Sequence, residues 1–346
     1  MSDSGANKMI FVVGNSRSGT TLMGNILGNG PEIFTFEELH FFDHLLSSTS
    51  PSDPISMGTA EFLAAKLLSI QASDCLTPQN PKVFTEEATK VVSRSPKEQI
   101  SASELFENFL RFTAKKNGKQ IPCEQTPQNV FHIQDILALY PQSYIINMVR
   151  DPRDVLLSQK YKWKIRFLGA SNIPLSEAIR SWSNYHSAVI SKLWNSSIQA
   201  AAQFQDNPRV KTVRFEDLVR DSEAVMKDVC DFVGVCFGEE MMNISQGEGG
   251  VSSHKKVSPS VRGIDSGVVS RWKKGGLLTP EVHICQSITQ KNMQRYGYEL
   301  TAVNAINKGL SLLLFIFLPF KLSLAILLNL KRVGNLKETI RKRIIA

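Results

Sequence analysis

Five apolar residues, Met9-Ile10-Phe11-Val12-Val13, run without a break into Gly14-Asn15-Ser16-Arg17-Ser18-Gly19-Thr20-Thr21, and no other segment constrains the fold as much. A short apolar run, a glycine-bounded turn and then a helical pattern read as a buried strand feeding the N-terminus of a helix. Such a turn aims several backbone N–H groups and the positive end of a helix dipole at one point, which makes it an anion site. The spacing is that of the phosphate-binding loop G-x-x-x-x-G-K-[ST], except that Thr20 stands where the lysine belongs. Without the lysine, the loop suits a phosphate ester better than a magnesium-chelated β/γ-phosphate. Arg17 supplies fixed charge, and Thr20 and Thr21 supply hydroxyl donors.

Downstream the pattern keeps alternating. Residues 33–36 read as a second short strand, Thr59 to Ser73 as an amphipathic helix, and Ser101-x-x-Glu104 as a capping box opening a helix that Gly118 ends. Ile121 to Glu124 reads as a strand edge, and Tyr144 to Val149 as a strong strand whose Arg150-Asp151-Pro152-Arg153-Asp154 turns into a helix near Val155. One long helix is expected from Ser176 to about Phe204, then a strand at Lys211–Phe215, a helix stopping at Gly234, a Gly/Ser loop over 247–253 and a helix from Glu281 to Arg295. Strands separated by helices imply an α/β fold of three layers, α/β/α, with a central parallel sheet of the P-loop NTPase-like kind. The expected organisation is a disordered N-terminus over 1–8, one domain over 9–300 and a distinct tail over 301–346.

The net charge of +8 points to an anionic ligand or membrane surface, and the body of the chain has no arginine-rich arm with interleaved aromatics, so nucleic acid is not expected as a partner. Five scattered cysteines, odd in number and without C-x-x-C pairing, argue against a zinc site or a disulfide framework and for a reducing compartment. The polar N-terminus does not read as a signal peptide, so the expected location is cytoplasmic.

Four segments together resemble the sulfotransferases that use 3′-phosphoadenosine 5′-phosphosulfate (PAPS). Arg17-Ser18-Gly19-Thr20-Thr21 resembles their 5′-phosphosulfate loop. Arg150 to Ser158, an arginine at a strand end with a serine eight residues on, looks like their 3′-phosphate segment. Val213-Arg214-Phe215-Glu216-Asp217-Leu218 resembles the turn after their long helix, and Ser270-Arg271-Trp272-Lys273 their late basic loop. The resemblance implies a PAPS-dependent sulfotransferase, closest in these motifs to tyrosylprotein sulfotransferases and related bacterial enzymes. The resemblance further implies transfer to an acceptor hydroxyl (sugar, lipid, phenol or protein tyrosine), with PAPS as co-substrate and no metal. It also implies donor contacts from Arg17, Ser18, Gly19, Thr20, Thr21, Arg150, Ser158, Arg271 and Lys273, aided by Lys162, and catalysis by Arg17 with Glu38 as base. His40 is the competing base, since small-molecule sulfotransferases use histidine. Gln125 stands where the family usually has lysine, and Phe215 where tyrosylprotein sulfotransferases have tyrosine. A P-loop kinase or nucleotide triphosphatase, and a non-catalytic PAPS- or membrane-binding protein, are the alternatives.

The tail is a separate signal. Leu310 to Leu318 is continuously apolar, Pro319-Phe320-Lys321 interrupts it, and Leu322 to Leu330 is mostly apolar again. Each half is too short to span about 30 Å of hydrocarbon. The expectation is a bent helical hairpin dipping into one leaflet, with Lys331, Arg332, Lys337, Arg341, Lys342 and Arg343 on anionic headgroups. A single tail-anchor span and packing on the protein's own surface are the alternatives.

Overall fold

A computed structural model describes residues 7–46, 50–73, 79–93, 99–168, 173–244, 266–316 and 318–329. The Gly/Ser loop expected over 247–253 and the basic residues beyond 330 lie outside the described residues.

The strands are β1 (Met9–Gly14), β2 (Ile33–Thr35), β3 (Pro54–Ser56), β4 (Gln99–Ser101), β5 (Ile121–Glu124), β6 (Ser143–Val149) and β7 (Val210–Arg214). The helices are α1 (Thr20–Gly28), α2 (Met57–Gln71), α3 (Thr85–Val92), α4 (Ala102–Lys116), α5 (Ile133–Leu139), α6 (Pro152–Lys160), α7 (Leu175–Asn184), α8 (Ser187–Ala202), α9 (Phe215–Arg220), α10 (Ser222–Val233), α11 (Thr279–Arg295), α12 (Ala305–Ile316) and α13 (Leu318–Asn329). A strand with no exposed residue must be covered on both faces, and β1, buried throughout, sits at the centre of a five-stranded parallel sheet of order β2-β5-β1-β6-β7. Its side chains alternate. Met9, Phe11 and Val13 enter a core with Phe106 and Phe109 of α4, and Ile10 and Val12 enter a core with Met23 of α1 and Val229 of α10. These two cores are the outer layers of the expected α/β/α sandwich, and the P-loop NTPase-like fold is as read from the sequence.

Four local readings change. Ile121–Glu124 is no edge: β5 pairs with both β1 and β2. The helix after Arg150 starts earlier, at Pro152, because Asp151 caps it by accepting from Arg153 N at 2.9 Å. The expected helix from Ser176 to Phe204 is two helices. Tyr185 and His186 are extended, and the His186 ring caps α8 by accepting from Ala188 N at 3.2 Å. Last, α12 and α13 do not fold back on each other as a hairpin; their axes differ by 42°. The Ser101–Glu104 capping box is present, with both reciprocal hydrogen bonds.

Among the described residues no single helix is long and apolar enough to cross a membrane, though the bent pair α12 and α13 together is, by length and composition. One side of α13 meets the body: Lys321 donates to the Tyr185 carbonyl at 3.1 Å and lies over the Trp182 ring, 4.5 Å from its centroid, while Asn329 donates to Asn184 Oδ1 at 3.0 Å. The Leu314 carbonyl of α12 lies 3.0 Å from His186 Nε2.

Candidate donor site and general base

Everything that the motifs single out hangs from the C-terminal edge of the sheet, where ligands of open α/β folds bind. The β1–α1 loop is built by backbone constraint. Gly14 has φ 146°, and a Cβ there would stand 2.4 Å from the Met148 carbonyl oxygen. Gly19, at φ 96°, caps α1 from the left-handed region, and a Cβ there would collide with the Phe215 ring. Arg17 also has positive φ, 76°, a conformation that costs a side-chain-bearing residue on the order of 1 kcal/mol. That strain holds the guanidinium at a defined place: Arg17 Nε donates to Ser158 Oγ on α6 at 2.8 Å.

Arg150, at the end of β6, completes the cluster. Its guanidinium donates to the Arg17 carbonyl at 3.2 Å and to the Val268 carbonyl at 2.8 Å, and lies over the Phe215 ring, 4.2 Å from its centroid. Phe215 therefore does two jobs without a hydroxyl, packing the loop glycine and seating the arginine. Burial lowers the pKa of both Arg17 and Arg150; the Arg150 charge lowers that of Arg17 further, while Asp154, Glu216 and Asp151 partly offset the effect of burial on Arg150. Arg271 repels Arg150. Among the described residues neither Arg17 nor Arg150 forms an ion pair, and Arg150 Nε and Ser18 Oγ are buried without a hydrogen-bond partner. A cluster of cations and unsatisfied donors at a helix N-terminus fits a multiply charged anion such as a nucleotide bisphosphate. Thr20 is buried and Thr21 half-buried in the first turn of α1. Among the described residues no group of three or more His, Cys, Asp or Glu could hold a metal ion.

The loop carrying Arg271 is moored by a residue whose role the sequence reading missed. Asp154 accepts from Ser270 N at 2.7 Å and Trp272 N at 2.9 Å. Trp272 in turn stacks on Arg153, which makes a two-pronged ion pair with Asp151. Lys273 is exposed beside Trp272, at the rim rather than in the cluster.

On the β2 side, Glu38 is half-buried and electrostatically coupled to Arg17 and to Lys162. Burial alone would raise its pKa, but a hydrogen bond from His40 and the charges of His40, Lys162 and Arg17 outweigh that and hold the carboxyl below its ordinary range. His40 Nε2 stands 3.3 Å from Glu38 Oε2. His40 is itself buried, at φ 51°, and its backbone N–H donates to Thr126 Oγ1 at 3.2 Å. Thr126 belongs to a knot around Glu124, at the end of β5. The Glu124 carboxylate accepts from Thr126 N at 3.0 Å, from the Thr126 hydroxyl, and from Asn129 Nδ2 at 2.6 Å. Burial nevertheless pushes its pKa up to about 7 against these donors. The signal that could have found it is an acid ending an otherwise apolar strand, with Thr two and Asn five residues on. Neighbouring Gln125 is buried, packs toward Gly24 of α1, and leaves its Oε1 without a partner among the described residues.

With this geometry in hand, the comparisons with known proteins are direct. The model of the "Sulfotransferase family" matches residues 9–239. The chain belongs to the sulfotransferase family. Human sulfotransferase 2A1 is 24% identical over 31% of this chain and 39% of its own length, and mouse sulfotransferase 2A6 is 21% identical over 37% and 44%. The chain thus spans less than half the length of the curated relatives that it matches. Among solved structures, the sulfotransferase domain of the Synechococcus PCC 7002 olefin synthase superposes with a TM-score of 0.51 at 20% identity, covering 85% of this chain and 96% of that one. The sulfotransferase domain from the curacin biosynthetic pathway superposes with a TM-score of 0.50 at 22% identity, covering 84% and 98%. At these identities the likeness is one of fold. In this chain the motif-bearing loops of Arg17, Arg150 and Arg271 come together at the C-terminal edge of the sheet.

Proposed function

We propose that this sulfotransferase moves a sulfuryl group from PAPS to an acceptor hydroxyl and releases adenosine 3′,5′-bisphosphate. The observation that carries the reading is the pair of half-buried guanidiniums, Arg17 and Arg150, without an ion-pair partner among the described residues, at the N-terminus of α1 with Glu38 acting on one of them. PAPS supplies the transferable group and a phosphate leaving group. The protein supplies the rest. Glu38, held ionised, accepts the acceptor's proton as its oxygen forms the new S–O bond. The bond between sulfur and the bridging oxygen breaks, and the electron pair stays on the departing phosphate. Arg17, the loop N–H groups and the Thr20 and Thr21 hydroxyls stabilise the negative charge growing there. Arg150 and Ser158, with Arg271 at the rim, take the 3′-phosphate. His40 orients Glu38 instead of replacing it, since the histidine is buried and the glutamate half-exposed. Without a P-loop lysine, ATP with magnesium is a poor fit. Titration calorimetry should give tight binding of adenosine 3′,5′-bisphosphate and none of ATP–magnesium; the reverse ranking overturns the reading.

We also propose that the tail holds the enzyme, in the cytoplasm, against an anionic membrane surface. Residues 301–346 contain eight of the 40 Lys and Arg but one of the 32 Asp and Glu, which leaves the rest of the chain near neutral. The outward side of α12 and α13 is apolar, so the same segment offers hydrocarbon and positive charge together. Co-sedimentation with phosphatidylglycerol vesicles, and not with neutral ones in high salt, is the expected result.

A further inference from the structure

We infer that the acceptor is an amphiphile resident in that membrane, a lipid whose headgroup hydroxyl reaches Glu38 while its chain stays in the bilayer. The inference rests on the donor and membrane readings above and adds the substrate class.

The apolar surface is not confined to the tail. Seventeen large hydrophobic side chains are exposed among the described residues; eight belong to α12 and α13, and four more fall between Phe167 and Trp182. Leu175, Ile179 and Trp182 recur at positions i, i+4 and i+7 of α7, so they form one exposed stripe. That stripe belongs to the helix on which α13 rests through Lys321 and Asn329. On α13 itself, Phe320 and Leu327, seven residues apart, are 66% and 65% exposed, while Lys321, Ala325 and Asn329 point toward the body. The one charged side chain of α13 is thus turned inward and hydrogen-bonded, which removes the main obstacle to laying this face against hydrocarbon.

The patch also leads to the chemistry. The segment Lys162–Leu168 is a 3₁₀ helix packed between α6 and α7. Its first residue, Lys162, acts electrostatically on Glu38, and Phe167, 60% exposed, lies on the same segment against Trp163. At about 2.0 Å of rise per residue, five residues separate the two by about 10 Å. The 3₁₀ segment therefore joins, over about 10 Å, a residue that acts on Glu38 to an apolar side chain beside α7, whose exposed stripe leads on to α13. A sugar or a phenol in water needs no such surface. A lipid alcohol does, because extracting its chain into water would cost about 0.8 kcal/mol for each methylene exposed. Large apolar patches on soluble chains mark partner or membrane surfaces, and the concentration of positive charge in the same segment favours an anionic bilayer over an apolar protein partner.

The test uses the full-length chain, sulfur-labelled PAPS and a homogenate of the cells that make the protein, followed by separation into butanol-extractable lipid, water-soluble small molecules and protein. The label should enter the lipid fraction. In Ile179→Glu/Phe320→Glu, two exposed positions outside the donor site, lipid labelling and vesicle binding should fall together by at least about tenfold, because two apolar contacts are lost and the headgroups repel the new charges. Affinity for adenosine 3′,5′-bisphosphate should stay within about twofold, since neither residue belongs to the phosphate-contacting set. Label in water-soluble products or protein, no label in lipid, or lipid labelling that the double variant leaves intact overturns the inference. A wild-type chain that does not bind adenosine 3′,5′-bisphosphate instead overturns the donor reading, and this inference with it.

Discussion

The donor crevice and the α7–α13 flank solve opposite problems within one chain. In the crevice, Arg17 and Arg150 are crowded together, Arg150 Nε and Ser18 Oγ are left without hydrogen-bond partners, and the cost is met by backbone that cannot relax: Gly14, Gly19 and a strained Arg17. On the flank, charge is either absent or hidden, as with Lys321 over Trp182, and apolar side chains face outward. A site for a fixed, highly charged ligand has to be preorganised, since dipoles that must reorient lose much of their worth. A surface for a fluid ligand needs only area and a boundary. The Glu124 knot belongs to the first regime, a rigid anchor tied through Thr126 to the His40 backbone beside Glu38.

The sharpest way to break this contrast is Glu38→Gln, which should lower kcat by about 10²–10⁴ with little change in donor affinity, as loss of a general base does. His40→Asn should cost less, because it disturbs only the orientation of Glu38; if it is the more damaging of the two by steady-state assay, the base assignment is reversed. Arg17→Ala comes next, with kcat/KM down by about 10²–10³, the usual loss for one preorganised donor to a developing oxyanion. Activity within about twofold of wild type would remove Arg17 from the chemistry and leave it as a loop spacer.

Glu124 sharpens the comparison through stability. Its folded pKa of about 7 lies above the ordinary carboxyl value of 4.5, so the folded state binds the proton more tightly than the unfolded chain. The stabilisation from this group is complete below about pH 4.5 and is lost as the pH rises through about 7, a change on the order of 3 kcal/mol. Urea midpoints measured from pH 4.5 to 7.5 should fall for the wild type on this account and flatten in Glu124→Gln; an unchanged slope in the variant assigns the titration elsewhere. The smallest expected effect is Arg150→Ala. Adenosine 3′,5′-bisphosphate should bind more weakly by about 1.5–3 kcal/mol, and adenosine 5′-phosphate by less, though not by nothing, because Arg150 also holds the Arg17 carbonyl. Equal losses in calorimetry would make Arg150 purely structural.

Much of the crevice was legible beforehand because its parts are local. A glycine turn between an apolar strand and a helix has few conformations open to it, so Gly14 to Thr21 could be read as an anion loop from residue types alone. Arg150 and Ser158 shared one strand–helix turn and needed only its geometry. The break at Tyr185-His186 was hidden because the histidine ring acts as a cap there, a role seen only once Ala188 N is in reach. Glu124 was passed over for its neighbour Gln125, since a single acid at a strand end says nothing about burial until β2 and β1 close on both sides.

By itself, then, the sequence determined the alternation of strands and helices, the anion loop with threonine where the lysine belongs, and the position of an apolar, basic tail. These follow from side-chain periodicity and from turns closed within a few residues. What only the tertiary structure decided is which distant groups share a field. Arg17 meets Ser158 across 141 residues, Asp154 moors the loop of Arg271, and α13 lies on α7 with its lysine turned inward. Local patterns carry no information about such contacts, because the free energy that selects them comes from burying whole faces of helices and sheet against one another.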